Sequence, residues 1–324
     1  MSTTINGLSG SVSLTTTSQN PVTITSTGTV QSSGDPIDGN SAFAWTIINS
    51  GTISGTSGPS IGVTLTGGGY VDNTSGAHLS GGQGGITIDG AGATVVNDGR
   101  VSATDPVYLK TGGTVTNGSI NNAASISGNT TYGHGVIIEG GAAAITNYAD
   151  ITAYYGIDVA AGGSIANTGT SLQIIGHTGI FIGGPDTTTV TNDGTISGLL
   201  PGVGHAQGML IQGAVDITNN ATGTITGTVY GILDGGGNGT ITNMGKIVGD
   251  TGIYTSAFAN ENVTVINSGT IASSNGGAAL RFGAGINRLI VDPGAVFVGT
   301  VGDFIGESSD TKMGRRAPPH LIYY

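Results

Sequence analysis

The stretch IINSGTISG at 47–55 returns along the chain as VVNDGRVSA from Val95, VTNDGTISG from Val190, ITNMGKIVG from Ile241 and VINSGTIAS from Val265. Aligned on their asparagine, the copies give Asn49, Asn73, Asn97, Asn117, Asn147, Asn167, Asn192, Asn219, Asn243 and Asn267, at intervals clustering near 24 residues, with Ser26 before them and Asp292 after. Asn122 is an equally good anchor in place of Asn117. Two positions before each anchor the residue is β-branched every time, from Ile24, Ile47 and Val71 through to Val265 and Ile290. A repeat of this length, with one apolar rung and one polar rung at fixed phase, is the mark of stacked supersecondary units.

Two further signals fill out each unit. Upstream of most anchors stands a glycine followed by apolar, any, apolar, as in Gly62-Val63-Thr64-Leu65, Gly85-Ile86-Thr87-Ile88 and Gly179-Ile180-Phe181-Ile182. Four residues past most anchors comes another branched apolar residue, as at Ile53, Val101, Ile151, Ile196, Ile247 and Ile271. Strands alternate faces with period two, so each repeat offers about three short strands divided by glycine turns, and no helix. Such a unit cannot bury its own apolar side chains, but a stack of them can. The expected fold is therefore all-β: a right-handed parallel β-helix of about 12 coils of roughly 24 residues, the hand following from the rule for parallel crossovers. One domain is expected over 1–303, with 1–21 as an N-terminal cap or first coil. The asparagines are expected as corner residues in left-handed backbone whose amides stack in a ladder, and the glycine two positions later as the rest of the bend.

Composition agrees and removes several functions. Charged residues are 8% of the chain, against roughly a quarter in ordinary soluble domains, and 62 glycines without a G-X-Y period fit turns better than a linker or collagen. A formal charge of −11 with eight basic residues gives no basic face for nucleic acid. There is no cysteine, so disulfides and thiolate metal sites are absent. No apolar run approaches the roughly 20 residues of a membrane span, and MSTTINGLSGSV has neither the basic nor the apolar region of a classical signal peptide.

The recurrent V/I-x-N-x-G-x-I-x-G coils, closing on RLIVDPGAVFVGTVGD at 288–303, resemble the β-helical passenger region of bacterial autotransporter-type surface and adhesin proteins, over about residues 22–303. The resemblance implies a secreted or cell-surface stalk, adhesion-like and non-catalytic, that meets a host or cell-surface glycan or protein and needs no cofactor or metal. Residues 304–324 break the pattern and are expected as an atypical, poorly ordered tail or a short natural cap.

Motifs with a chemical mechanism do not survive their context. Gly58-Pro59-Ser60-Ile61-Gly62 fits G-x-S-x-G, but a nucleophile elbow needs a helix after the serine. The histidines, His78, His134, His177, His205 and His320, show no ligand spacing and read as surface loop residues. The alternative function is a polysaccharide-processing enzyme of the pectin-lyase-like kind, for which Asp158 and Glu139, one coil apart on the same strand series, are the nearest carboxylate pair. The middle residue of the glycine-led strand should point outward. There the series runs Thr64, Thr87, Tyr108, Ile137, Asp158, Phe181, Leu210, Leu233, Tyr254 and Leu280, so Tyr108, Ile137, Phe181, Leu210, Leu233 and Tyr254 are the candidate binding stripe. The loop GLLPGVGHAQ at 198–207 is a candidate cover for it.

Overall fold

The computed structural model describes residues 2–119, 124–170, 172–199, 206–256, 262–303 and 312–315. Among these every regular element is a strand apart from one 3-10 turn at Thr17–Gln19. The strands lie three to a turn in three parallel sheets, a β-solenoid of about 12 turns spaced about 24 residues apart. By the density of its internal contacts the chain divides into two compact units, Met1–Ala161 and Gly162–Tyr324.

In the first unit, the strands Trp45–Asn49, Gly69–Asn73, Thr94–Asn97, Gly113–Asn117 and Ala143–Asn147 form successive members of one sheet, each paired in parallel with the strand one coil later. The second sheet contains Thr52–Gly55, His78–Ser80, Arg100–Ser102, Ser125–Ser127 and Asp150–Thr152. The third contains Ile61–Leu65, Gly84–Ile88, Asp105–Leu109, His134–Ile138 and Tyr155–Val159. Strict register puts like residues on like: Ile47, Val71, Val95, Val115 and Ile145 make a continuous inward column, at most 2% exposed. The second unit repeats the arrangement with Ile165, Val190, Ile217, Ile241 and Val265. Each such side chain contributes about 1.5–3 kcal/mol by leaving water. The core is thus assembled by stacking, as the repeat requires.

Beside each aliphatic column runs a column of asparagines. All ten are fully buried. In the first unit Nδ2 of Asn49, Asn73, Asn97 and Asn117 donates to Oδ1 of the asparagine one coil on, at 2.8, 2.8, 2.8 and 2.9 Å, ending at Asn147. In the second, Asn167, Asn192, Asn219 and Asn243 do the same at 2.8 Å, ending at Asn267. The second amide proton is also used: that of Asn49 goes to the carbonyl of His78 at 3.1 Å, and that of Asn243 to the carbonyl of Thr270 at 3.1 Å. The ladder answers the choice of anchor, since Asn117 accepts from Asn97 and donates to Asn147. Asn122 lies outside the described residues.

Three expectations change. The asparagines are not left-handed corners: each is the last residue of a strand, extended, with its side chain turned inward. Nor do the glycines that follow these asparagines take a positive φ; Gly294, after Asp292, alone of the expected set does, at 96°. A Cβ on Gly51, Gly194, Gly245 or Gly269 would instead fall on the carbonyl of Gly28, Gly169, Gly223 or Gly245, so these positions are small because consecutive coils touch there. The register at the two ends also differs. Ile24 pairs with Asn49 and Val22 with Ile47, which leaves Ser26 outside the ladder. At the other end Asn267 faces Val291 and Val265 faces Leu289, so Leu289, not Ile290, continues the column, and Asp292 lies beyond it. This register lays Arg288 beside Thr264 on the outer face and puts Leu289 inside, which a slip by one residue would reverse.

Residues 304–324 fall outside the described residues except for the strand Lys312–Arg315, whose backbone pairs in parallel with Arg288–Val291.

Two substitutions separate these roles. Asn97→Leu orphans amide groups on both neighbours at about 1–3 kcal/mol each, whereas Asn49→Leu, at the ladder's end, should cost less. Gly245→Ala, which drives a methyl into the carbonyl of Gly223, should cost about 1–3 kcal/mol, while Gly58→Ala, with nothing within 4 Å of its Cβ, should leave stability unchanged or slightly raised. Urea unfolding of the four variants reads both differences.

Candidate functional site

The outer face of the third sheet carries the side chains of the expected stripe. Its strands are not simple alternators. In Ile61–Leu65, Asp105–Leu109, Tyr155–Val159, Tyr230–Asp234 and Thr251–Thr255 the second, third and fifth residues are buried, and the first and fourth look outward. The recurrent glycine is the second residue, replaced by Pro106 in one coil, and it is small because its inward side is crowded: a Cβ on Gly85 would meet the Pro106 carbonyl at 2.5 Å and Val101 Cγ1 at 2.7 Å. Each coil therefore offers two outward columns. The pattern of apolar, any, apolar revealed only one of them.

The expected stripe is the fourth-residue column. In the second unit Phe181, Leu210, Leu233 and Tyr254 lie in register on consecutive strands, all half-buried. Leu280 does not continue it. That side chain is fully buried opposite Ile253, and Arg281 takes the outward place with its guanidinium 5.7 Å from the Tyr254 ring. Tyr230, from the first-residue column, stacks on Tyr254 at 5.4 Å with the rings 20° apart. The fourth-residue column of this unit is thus aliphatic and aromatic from Phe181 to Tyr254, and Arg281 ends it. Within the candidate cover at 198–207, residues 200–205 lie outside the described residues.

In the first unit the same column reads Thr64, Thr87, Tyr108, Ile137 and Asp158, of which Thr87 and Ile137 are 7% and 9% exposed. Here Tyr108 and Ile137 line a dish of about 360 Å3 together with Ile61, Gln83, Gly84, Thr87, Asp105, Lys110, His134 and Glu139. Gly84 forms its notch, because the outward position held by Ile61 one coil earlier and Asp105 one coil later has no side chain there.

Polar groups gather around the dish. His134 is not a loop residue. It opens the strand His134–Ile138, with Nδ1 3.2 Å from Asp105 Oδ1 and Nε2 3.3 Å from Asp158 Oδ2, and its ring stacks on Tyr155 at 5.0 Å. Burial of the ring works against its charge, but the two carboxylates outweigh it and raise its pKa from 6.5 to about 9. Glu139 and Asp158, the expected carboxylate pair, have different partners. Glu139 accepts from Tyr108 Oη at 2.5 Å, which together with burial and neighbouring acids raises the phenol to about 12. Lys110 reaches Asp89 at 3.4 Å and stands 5.8 Å from the Tyr108 ring centre.

One other sequence signal dissolves. Ser60, the serine of the G-x-S-x-G match, is 1% exposed and donates to the Ser57 carbonyl at 2.7 Å while accepting from the Gly82 amide at 3.1 Å, so its hydroxyl belongs to the turn. Among the described residues no group of three or more His, Asp or Glu converges as metal ligands; the two carboxylates on His134 bind opposite edges of its ring. His205 and His320 lie outside the described residues. No helix among the described residues is long and apolar enough to cross a membrane.

No protein-family model matches this chain, and no curated protein or solved structure is significantly similar to it.

The histidine bridge sets a pH dependence. A folded pKa above the unfolded one means its contribution is fully present below about pH 6.5 and is lost as pH rises through about 9. Unfolding free energy should therefore decline across that window in the native protein. His134→Gln should remove the decline, and the ring protons of His134 should titrate near pH 9 by NMR.

Proposed function

We propose that this protein is a non-catalytic β-solenoid stalk, secreted or held at a cell surface in the manner of autotransporter passenger regions, which adheres through its lateral face to a surface glycan or protein. The observation that carries this reading is the in-register column of Phe181, Leu210, Leu233 and Tyr254, half-exposed on consecutive strands. Water-facing apolar side chains at the coil spacing form a ribbon against which a sugar face or an apolar chain packs over several coils at once. The interior supports the same reading, since rigid stacking of asparagine and aliphatic columns suits a spacer more than a site that must open and close. A charge of −11 spread over a chain that is 8% charged agrees with partners other than nucleic acid.

A second reading, a polysaccharide-processing enzyme, draws on the carboxylates that share the dish of the first unit. Its chemistry would fall to Glu139 or Asp158 as acid or base. Both already hold a partner, Tyr108 and His134, so the binding reading is preferred.

The test is a double substitution, Phe181→Ser with Tyr254→Ser, in protein presented to a glycan array and to immobilised cell-surface glycoproteins. Each truncation removes an apolar contact worth about 1.5–3 kcal/mol when covered, so adhesion should drop by a factor of ten or more with little change in unfolding midpoint. Undiminished adhesion of the variant, or none by the native protein, would refute the stalk reading. Steady turnover of neutral or acidic polysaccharides by the native protein, lost in Glu139→Gln, would install the enzyme in its place.

A further inference from the structure

The geometry points to a second and separate site: the dish on the third sheet of the first unit binds one residue of a neutral, hydroxyl-rich saccharide. It rests on different residues from the apolar column and does not depend on that column being adhesive.

Size and relief come first. At about 360 Å3 the dish lies within the roughly 300–1,000 Å3 range of small-molecule sites. The missing side chain at Gly84 makes its floor, and the walls are Ile61 on one side and Tyr108 with Ile137 on the other. A Cβ on Gly84 would come within 3.0 Å of Ile61, so the hollow exists because this one outward position is a glycine. An apolar wall facing a flat floor accepts the C–H face of a pyranose.

Charge then selects the ligand. Asp89, Asp105, Glu139 and Asp158 stand against Lys110 and a protonated His134. The surplus is negative, which repels sulfated sugars and uronates, the acidic substrates on which the pectin-lyase-like reading depends. Yet each carboxylate already has a partner: Asp105 and Asp158 share the imidazole, Glu139 holds the Tyr108 hydroxyl and Asp89 holds Lys110. A cationic ligand would have to break one of these pairs. A neutral polyol need not, because a carboxylate oxygen has lone pairs to spare and accepts hydroxyl donors while keeping its partner. Gln83 and Lys110 on the rim supply the complementary donors.

The groups are also held in place before any ligand arrives. Asp105 accepts the backbone N–H of His134 at 2.9 Å as well as approaching its ring, Tyr155 braces that ring from the neighbouring strand, and Tyr108 is tethered by Glu139. Side chains fixed in this way lose little freedom on binding.

The experiment titrates native protein by calorimetry and saturation-transfer NMR with neutral hexaoses of glucose, mannose and xylose, with a galacturonate hexamer and with putrescine. At least one neutral hexaose should bind. Its affinity should fall about tenfold in Glu139→Gln, which keeps the shape but loses a charged acceptor. Binding should vanish in Gly84→Val, which fills the hollow against Ile61 and Thr87 and removes none of the paired charges. Phe181→Ser with Tyr254→Ser should bind the hexaose as the native protein does, so failure of the stalk reading and failure of this one are told apart. The inference is overturned if no neutral hexaose binds, if Gly84→Val binds as well as the native protein, or if the galacturonate or putrescine competes for the dish more strongly than every neutral sugar.

Discussion

Each asparagine amide stacked on its counterpart one coil away is the interaction on which the register of this solenoid depends. Backbone pairing alone does not care which residue faces which, and aliphatic columns tolerate a slip by two, since an inward residue then meets another inward residue. An amide does not tolerate it. Asn73 both accepts from Asn49 and donates to Asn97 at 2.8 Å in full burial, and any shift leaves polar groups unpaired where no water can reach them. The ladder therefore locks the strand register, and the turns are free to vary. That is why the spacing between Asn97 and Asn117 can be 20 residues and the next 30 while both amide bonds stay within 0.1 Å of each other.

The architecture was legible because every strand announces itself at a fixed phase: a branched residue, then the asparagine, then small residues. Three parallel sheets and about 24 residues per turn follow from Ile47, Asn49 and Ile53 and their copies. What misled was local physics. Asparagine and glycine are the residues of left-handed turns, so they suggest bends when read singly, but here the neighbours that matter lie a coil away. Gly245 is small because the carbonyl of Gly223 passes over it, a contact no local pattern contains. The end registers failed for a related reason. Beyond Asn49 and Asn267 no amide fixes the alignment, and Ile24 and Val291 occupy the ladder position instead.

The outward face was legible in part. Phe181, Leu210, Leu233 and Tyr254 could be placed because they occupy the same phase in consecutive copies. The dish could not, since its parts come from both outward columns and from coils of unequal length: Tyr108 finds Glu139 31 residues away, and Asp105 finds His134 29 residues away. The signal that was available is the residue just before the recurrent glycine, or before Pro106 where a proline takes the place of that glycine. Read down the copies it gives Ile61, Gly84, Asp105, His134 and Tyr155, in which an acid, a histidine and a tyrosine follow a gap.

A solenoid separates two tasks that a compact domain must solve together. Inward columns are fixed by stacking, so the outward columns of the same strands are free to carry chemistry at nearly no cost to the core. The two units use this freedom differently. On the third sheet of the second, aliphatic and aromatic side chains succeed one another from Phe181 to Tyr254. On that of the first, a chain sparing with charge brings together Asp89, Asp105, Lys110, His134, Glu139 and Asp158 within a few coils. Holding that many ionisable groups side by side is costly unless each finds a partner, and here each carboxylate does: Asp105 and Asp158 in His134, Glu139 in the Tyr108 hydroxyl and Asp89 in Lys110. Solubility alone would scatter them as singly solvated charges. Their mutual pairing around a hollow kept open by one glycine is the arrangement expected of a surface shaped to receive hydroxyl groups.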